Sequence, residues 1–278
     1  MKTLYDHVSV ASSKLITRRY STSFSTGIHL LARKFHDPIY SIYGFVRLAD
    51  EIVDSFHEHD KETLLEEFKQ DTYRAIDRRI SLNPVLNAFQ GTVHRYGIET
   101  ELIDTFLDSM EMDLRRKQFD RKQYDTYIVG SAEVVGLMCL RVFCEGNSER
   151  YDILKHPAMK LGAAFQKINF LRDIKADFEH LGRSYFPGVD IQQMSLEEKQ
   201  DIEAEILADF EDGLKGIRQL PRGARGGVYV AYVYYRKLFD KISSLPPRRL
   251  IEQRIRIHNS RKMVLLLGSL FRLRINSI

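Results

Sequence analysis

Cysteine is scarce in this chain of 278 residues and occurs only at Cys139 and Cys144. The two cysteines are five residues apart in an apolar stretch, so they do not form a Cys-x-x-Cys pair of the metal or redox type. We therefore interpret both as small core side chains of a protein in a reducing cytoplasm.

The sequence also lacks any stretch rich in glycine, proline or serine that would mark a linker. With 44% apolar and 29% charged residues it can bury a sizeable core, and we expect one domain spanning residues 1–278. The N-terminus has no signal-peptide apolar segment, and the apolar run at 263–271 is too short to cross a bilayer. We expect a cytoplasmic protein that is at most peripheral at the inner membrane surface.

Acidic side chains are nearly missing from the last part of the chain. Residues 215–278 hold 15 Lys and Arg against 2 Asp and Glu, whereas the overall net charge is only +4. Such a basic portion attracts anions such as diphosphates or lipid headgroups. Nucleic acid is not an expected partner, because no nucleic-acid motif accompanies the charge.

Strand signals are few, and apolar residues recur every three to four positions, which predicts an all-α protein. Asn83 and Pro84 start one helix and Gly97 ends it, whereas the Gly and Pro content of residues 182–188 predicts a loop. A Ser/Thr-rich break is expected at residues 20–27. The predicted helices cover residues 5–19, 38–56, 61–80, 84–96, 99–117, 123–143, 158–178, 195–218, 222–242 and 247–273.

One helical stretch carries three oxygen-bearing side chains, at Asn169, Asp173 and Asp177. Because they are four residues apart, they stack on one face of a helix, with Arg172 beside them. On this stretch alone, a solvated acidic face and a magnesium site are about equally good interpretations. Mg²⁺ prefers hard oxygen ligands and is commonly held by one or two carboxylates together with substrate phosphates.

A second apolar stretch has the same pattern and decides between them. Asp50 and Asp54 are again four apart, and Arg47 precedes them by one turn. Two such helices facing each other place four carboxylates around one cleft, where like charges and burial oppose ionisation unless cations are bound. The pair therefore predicts a polynuclear Mg²⁺ site for a diphosphate.

Five motifs together resemble the squalene/phytoene synthase family of head-to-head isoprenoid synthases, and most closely its bacterial phytoene synthases. They run in the family's order over about residues 5–275, and one departure is Glu51, where the family often has a second Asp. The motifs are Tyr-Ser-Thr-Ser-Phe at 20–24, Arg-Leu-Ala-Asp-Glu-Ile-Val-Asp at 47–54, Val-Gly-Leu-Met at 135–138, residues 166–177, and Gly-Arg-Ser-Tyr-Phe-Pro at 182–187.

The resemblance implies a single-domain helical bundle around a central apolar cavity. It implies condensation of two geranylgeranyl diphosphates, via prephytoene diphosphate, to phytoene in carotenoid biosynthesis. The cofactor would be Mg²⁺, with Mn²⁺ as a substitute, and no NADPH is expected. The implied metal ligands are Asp50, Asp54, Asn169, Asp173 and Asp177.

The resemblance also assigns roles to other side chains. Arg47 and Tyr127 would act in catalysis beside the four aspartates, although Tyr127 is equally an ordinary packing aromatic. The implied substrate-binding residues are Ser21, Ser23, Phe24, Tyr43, Arg47, Gln166, Asn169, Arg172, Arg183, Tyr185 and Arg261. Aromatic faces that could stabilise carbocations are Phe24, Tyr43, Phe45 and Phe165.

Three alternatives remain open. The enzyme could join two farnesyl diphosphates, as a dehydrosqualene or squalene synthase. It could be a head-to-tail elongase or terpene cyclase, although the Arg47 and 182–187 motifs argue against that. It could also be a non-catalytic prenyl-binding assembly factor, which should have lost the aspartates. The sequence does not indicate the oligomeric state, and the lipid nature of the substrates favours membrane contact through the basic C-terminal portion.

Overall fold

The computed structural model describes residues 2–257, and this part of the chain is helical without a β-strand, which confirms the all-α prediction. Its extended pairing is limited to one isolated bridge between Gln118 and Ser184. The helices are α1 Lys2–Tyr20, α2 Thr22–His29, α3 Arg33–Ser55, α4 Lys61–Arg78, α5 Pro84–Tyr96, α6 Thr100–Arg115, α7 Arg121–Ile128, α8 Val134–Cys144, α9 Ser148–Leu181, α10 Leu196–Gln219, α11 Arg222–Ser243 and α12 Pro247–Glu252.

Several helix ends follow from the local sequence. The side chain of Asn83 accepts hydrogen bonds from the first turn of α5, and Gly97 ends that helix with φ 62°. Ser195 and Glu198 form a reciprocal capping box at the start of α10. These are the boundaries that the cap residues predicted.

Three predicted boundaries are wrong. The break at 20–27 is reduced to Ser21, whose hydroxyl accepts a hydrogen bond from the backbone N–H of Phe24 and so starts α2 at once. The helix that carries Asp50 begins at Arg33, with Pro38 inside it. Likewise α9 begins at Ser148 and contains Pro157. A proline in a helix removes one backbone donor, but surrounding packing can retain the helix.

The predicted helix 247–273 is also wrong as a continuous element. The helix α12, which begins at Pro247 as predicted, already ends at Glu252, because Gln253 adopts an extended backbone with φ −155° and ψ 146°. Residues 258–278 lie outside the described part of the chain.

The apolar segment Arg121–Cys144 is interrupted by a π-helical turn at Val129–Glu133, between α7 and α8. By length and composition it could cross a membrane, and no other helix among residues 2–257 passes that test. However, 72% of its most apolar window is buried inside the protein, as expected for a core helix. Cys139 and Cys144 are free thiols buried in its second half, in agreement with their predicted core role.

The helix α1 packs closely against α3 and α5. Ser9, Ser13 and Thr17 form its buried face, and Gly44 of α3 lies against Ser13. A Cβ added at Gly44 would be only 2.7 Å from the Cβ of Ser13. Small residues therefore set the spacing of these two helices.

Candidate functional site

A cavity of about 680 Å³ is lined by residues of α1, α2, α3, α6, α7, α8, α9, α10 and α11. Along α3, both Ile39 and Asp54 line it, fifteen residues or roughly 22 Å apart. The cavity is therefore long and has two different ends. Its apolar lining includes Ile28, Leu31, Ile39, Leu140, Phe143, Leu154, Ile217 and Leu220, and its charged lining consists of Arg47, Asp50, Asp54, Arg172, Asp173, Asp177 and Arg254.

Two acidic residues of α3, Asp50 and Glu51, share one arginine. The guanidinium of Arg47 lies 2.7 Å from Glu51 and 3.7 Å from Asp50, and it stacks over the ring of Tyr20 with 4.3 Å to the ring centroid. Glu51 therefore pairs with Arg47 and does not line the cavity, whereas Asp50 and Asp54 do.

The face of α9 predicted from sequence also lines the cavity. Asp173 is held by two guanidinium groups, with Arg172 at 2.5 Å and Arg254 at 2.6 Å. Asn169 accepts a hydrogen bond from the hydroxyl of Tyr235 at 3.1 Å. The structure thus brings the two Asp-x-x-x-Asp helices to one cavity end.

Behind Asp54 lies a buried cluster centred on Asp113 of α6. Asp113 accepts hydrogen bonds from the hydroxyls of Tyr127 at 2.6 Å and Tyr185 at 3.1 Å. Arg183 donates to Asp54 at 2.8 Å and lies 3.7 Å from Asp113. Arg183 and Tyr185 follow α9 on a loop that begins at Gly182 with φ 64°, and neither belongs to the cavity lining.

Burial makes several of these carboxylates hard to ionise. It raises the pKa of Asp50 to about 7, although Arg47 opposes the shift. Burial, together with the charges of Asp173 and Asp54, raises the pKa of Asp177 to about 7. Burial also raises the pKa of Asp113 to about 6, although Arg183 opposes this shift. At this end of the cavity the desolvation of the carboxylates therefore outweighs the effect of the nearby arginines on their pKa values.

The donor set fits magnesium ions that are shared with a phosphate ligand. Within residues 2–257 no three His, Cys, Asp or Glu side chains are arranged to hold one metal ion by themselves. The carboxylates are instead divided between α3 and α9, each with cavity-facing oxygens. Mg²⁺ sites of one or two carboxylates completed by phosphates and water have this composition. A bound cation would favour the ionised forms of Asp50 and Asp177, which burial disfavours.

Aromatic side chains line the passage between the two ends. Phe165 stacks on Tyr235 with 4.1 Å between ring centroids, and Phe24 lies 4.8 Å from Tyr43. All four line the cavity. Phe45 does not, because it is fully buried in the core and stacks on Phe89 at 3.9 Å. Its inclusion among the cavity aromatics was wrong.

The remaining predicted residues divide into three groups. Ser21, Gln166 and Tyr127 line the cavity. Ser23 lies in α2, but its side chain is outside what the structure describes, and Arg261 is outside the described residues.

Asp113 was not predicted from the sequence, although a signal existed. It continues the buried stripe of α6 that includes Met110, and an acidic side chain on such a face is costly without partners.

The fold and site define an all-helical protein in which a carboxylate- and arginine-rich end opens onto a long apolar cavity. The chain belongs to the squalene/phytoene synthase family, whose sequence profile matches residues 17–261. The family resemblance expected from the five motifs is thereby confirmed.

Individual relatives are distant. A bifunctional lycopene cyclase/phytoene synthase of Blakeslea trispora is 27% identical over 84% of this chain, which spans 44% of that protein's length. A 15-cis-phytoene synthase of Synechococcus elongatus is 28% identical, with 82% of this chain and 81% of that protein covered. A crystal structure of a dehydrosqualene synthase superposes with a TM-score of 0.81 at 21% identity, covering 97% of this chain and 98% of the other. This structural likeness shows the fold.

Proposed function

We propose that the protein joins two prenyl diphosphates head to head, and that it converts two geranylgeranyl diphosphates to phytoene. The observation that carries the proposal is the two-ended cavity: carboxylates and arginines at one end, and a long apolar lining beyond them. A prenyl diphosphate has the same division between an anionic head and an apolar tail.

The charged end would bind the diphosphate. The Nε of Arg47 is buried and has no hydrogen-bond partner among the described residues, so a phosphate oxygen would satisfy it. Arg172 and Arg254 already lie at the cavity and would add positive charge to a leaving diphosphate. Mg²⁺, or Mn²⁺ in its place, would be held by Asp50, Asp54, Asn169, Asp173 and Asp177 and would neutralise the diphosphate when bound.

The apolar part would protect the carbocations. In the first step the C1–O bond of one substrate breaks, diphosphate leaves, and the double bond of the second substrate attacks C1. Loss of a proton closes a cyclopropane, and a second ionisation, rearrangement and proton loss give the triene-centred hydrocarbon. The side chains of Phe24, Tyr43 and Phe165 would present π faces to these cations. The surrounding walls would exclude water, which otherwise captures the cation.

The second candidate is condensation of two farnesyl diphosphates to dehydrosqualene or squalene. Structural similarity to a dehydrosqualene synthase favours it, whereas the phytoene synthases among the curated relatives favour the longer substrate. The first steps would be the same. Only the squalene route would need NADPH to reduce the final cation.

The test is a product assay with purified protein, Mg²⁺, and geranylgeranyl or farnesyl diphosphate, each with and without NADPH. A C40 hydrocarbon from geranylgeranyl diphosphate alone is expected. A C30 product from farnesyl diphosphate would instead support the second candidate. If a folded, Mg²⁺-supplied protein made no hydrocarbon from either substrate, the catalytic proposal would be wrong and a prenyl-binding role would take its place.

A further inference from the structure

The helix α1 buries its polar face and exposes apolar side chains. Its buried face consists of hydroxyl side chains, whereas three of its aliphatic side chains are exposed: Leu4 at 70%, Val8 at 51% and Leu15 at 58%. With about 100° per residue, positions 4, 8, 11 and 15 fall within roughly 60° of one another. They form one apolar stripe, which we call the α1 stripe, on the side opposite the buried face.

Packing fixes this orientation. Two of the three buried hydroxyls are satisfied within the helix, since Ser9 donates to the carbonyl of Tyr5 at 2.8 Å and Thr17 donates to that of Ser13 at 2.9 Å. The hydroxyl of Ser13 has no hydrogen-bond partner among the described residues. Because Gly44 approaches Ser13 so closely, a leucine could not occupy that face without separating α1 from α3. The α1 stripe therefore cannot turn inward.

The surroundings of the stripe are basic. Arg18 and Arg19 are exposed and flank its C-terminal half on opposite sides, and Lys14 and His7 lie along one edge. The only acidic residue of α1, Asp6, points away, because it accepts a hydrogen bond from Asn87 of α5 at 3.0 Å.

A neighbouring loop enlarges the apolar surface. The hydroxyl of Tyr5 donates to the carbonyl of Ser81 at 2.8 Å, which ties this loop to α1. On the loop, Ile80 is 43% exposed and Leu82 is 93% exposed, and Arg79 beside them is also exposed. Exposed apolar groups that lie near one another with basic neighbours are typical of surfaces that bind a partner.

The geometry points to the α1 stripe as a docking surface for an anionic lipid bilayer. A helix that presents aliphatic residues between cations lies in the membrane interface, with the cations near anionic headgroups. The C-terminal end of the same helix forms part of the cavity rim, because Thr17 and Tyr20 line the cavity and Tyr20 is 52% exposed. Leu15 precedes Tyr20 by roughly 8 Å along the helix axis. If the proposed function is correct, this location would deliver a water-insoluble product to lipid, whereas docking itself depends only on the exposed apolar and basic side chains of α1 and the neighbouring loop.

The test is co-sedimentation of the full chain with phosphatidylcholine vesicles that contain or lack phosphatidylglycerol. Replacing Leu4, Val8 and Leu15 together by Gln should lower the partition coefficient at least about tenfold. The double variant Arg18→Gln/Arg19→Gln should lose roughly thirtyfold on phosphatidylglycerol vesicles only.

A matched control removes equally exposed aliphatic groups elsewhere. Ile153 and Leu196 are each 58% exposed on α9 and α10, and their replacement by Gln should leave partitioning unchanged. Circular dichroism verifies that every variant is folded. Turnover of detergent-dispersed substrate should be unchanged in the triple variant, so failure of docking and failure of the proposed chemistry are separate results.

A fluorophore on Leu15→Cys gives a direct reading, since both native cysteines are buried. Its emission should shift to the blue when phosphatidylglycerol vesicles are added, whereas the same label on Ile153→Cys should not respond. The proposal would be overturned if the wild-type protein did not bind phosphatidylglycerol vesicles, or if the triple variant bound them as well as the wild type does. A wild-type dimer that the triple variant converts to monomer, without vesicle binding, would likewise overturn it and make the stripe a subunit interface.

Discussion

Replacing Asp50 by Asn should make the metal-free protein more stable while abolishing turnover. Asp50 faces the cavity beside Asp54, and burial raises its pKa from 3.8 to about 7. The folded protein therefore holds this proton more tightly than the unfolded chain does. The contribution of the Asp50 carboxyl to the free energy of unfolding is present in full below about pH 4 and is lost as the pH rises to about 7.

The magnitude follows from the size of that shift. About three pKa units correspond to about 4 kcal/mol of destabilisation once the carboxylate is ionised. Because 32% of the Asp50 side chain remains exposed, solvent screening reduces this to about 2 kcal/mol. An amide has nearly the same shape and no charge, so Asp50→Asn should gain about 2 kcal/mol near pH 8 and less than half of that near pH 5.

Urea unfolding at the two pH values, without divalent metal, measures the effect. Asp125→Asn is the control, because Asp125 is 54% exposed in a surface pair with Arg121 and should change stability by less than about 0.5 kcal/mol. Adding Mg²⁺ should stabilise the wild type more than Asp50→Asn. If the variant were less stable than wild type at both pH values, the argument from carboxylate burial would be refuted.

Three further changes test the packing and the site. Gly44→Ala should lower the free energy of unfolding by about 2 kcal/mol because of the contact with Ser13, and adding Ser13→Gly should restore part of it in the same urea assay. Tyr127→Phe removes the hydroxyl donated to Asp113 and should cost about 2 kcal/mol, with unchanged stability contradicting the role of that bond. Arg47→Lys keeps the charge but loses the planar guanidinium stacked on Tyr20, so kcat should fall more than about tenfold with an unchanged circular dichroism spectrum; wild-type turnover would exclude Arg47 from the diphosphate site.

The four aspartates could be placed from sequence because helical periodicity converts a spacing of four into a shared face. The same rule could not tell which apolar face of α3 meets the cavity. Phe45 and Tyr43 are two residues apart, yet one packs into the core against Phe89 and the other lines the cavity. That distinction depends on where α5 and α9 lie, which is information from distant parts of the chain.

The role of Asp113, the start of α3 and the orientation of α1 could not be predicted from sequence for a related reason, because each depends on contacts between distant parts of the chain. Asp113 is held in the core by hydrogen bonds from Tyr127 and Tyr185 and by the nearby Arg183, and all three belong to other elements. The start of α3 at Arg33 was hidden because Pro38 resembles a helix start. In α1, hydropathy alone would bury Leu4, whereas the close approach at Gly44 decides otherwise.

The π-helical turn at Val129–Glu133 has a consequence for the length of the cavity wall. Tyr127, Val135, Cys139 and Phe143 all line the cavity at multiples of four residues. In a regular α-helix, sixteen residues from Tyr127 to Phe143 would accumulate about 160° of rotation and turn the far end away. One extra residue in the π turn reduces this to about 60°. Deleting one residue from this turn would leave a regular α-helix with the same offset of about 60°, so the outer half of the wall should keep facing the cavity. Inserting one residue into the regular part of α8 should instead raise the offset to about 160° and turn the outer half of the wall away from the cavity.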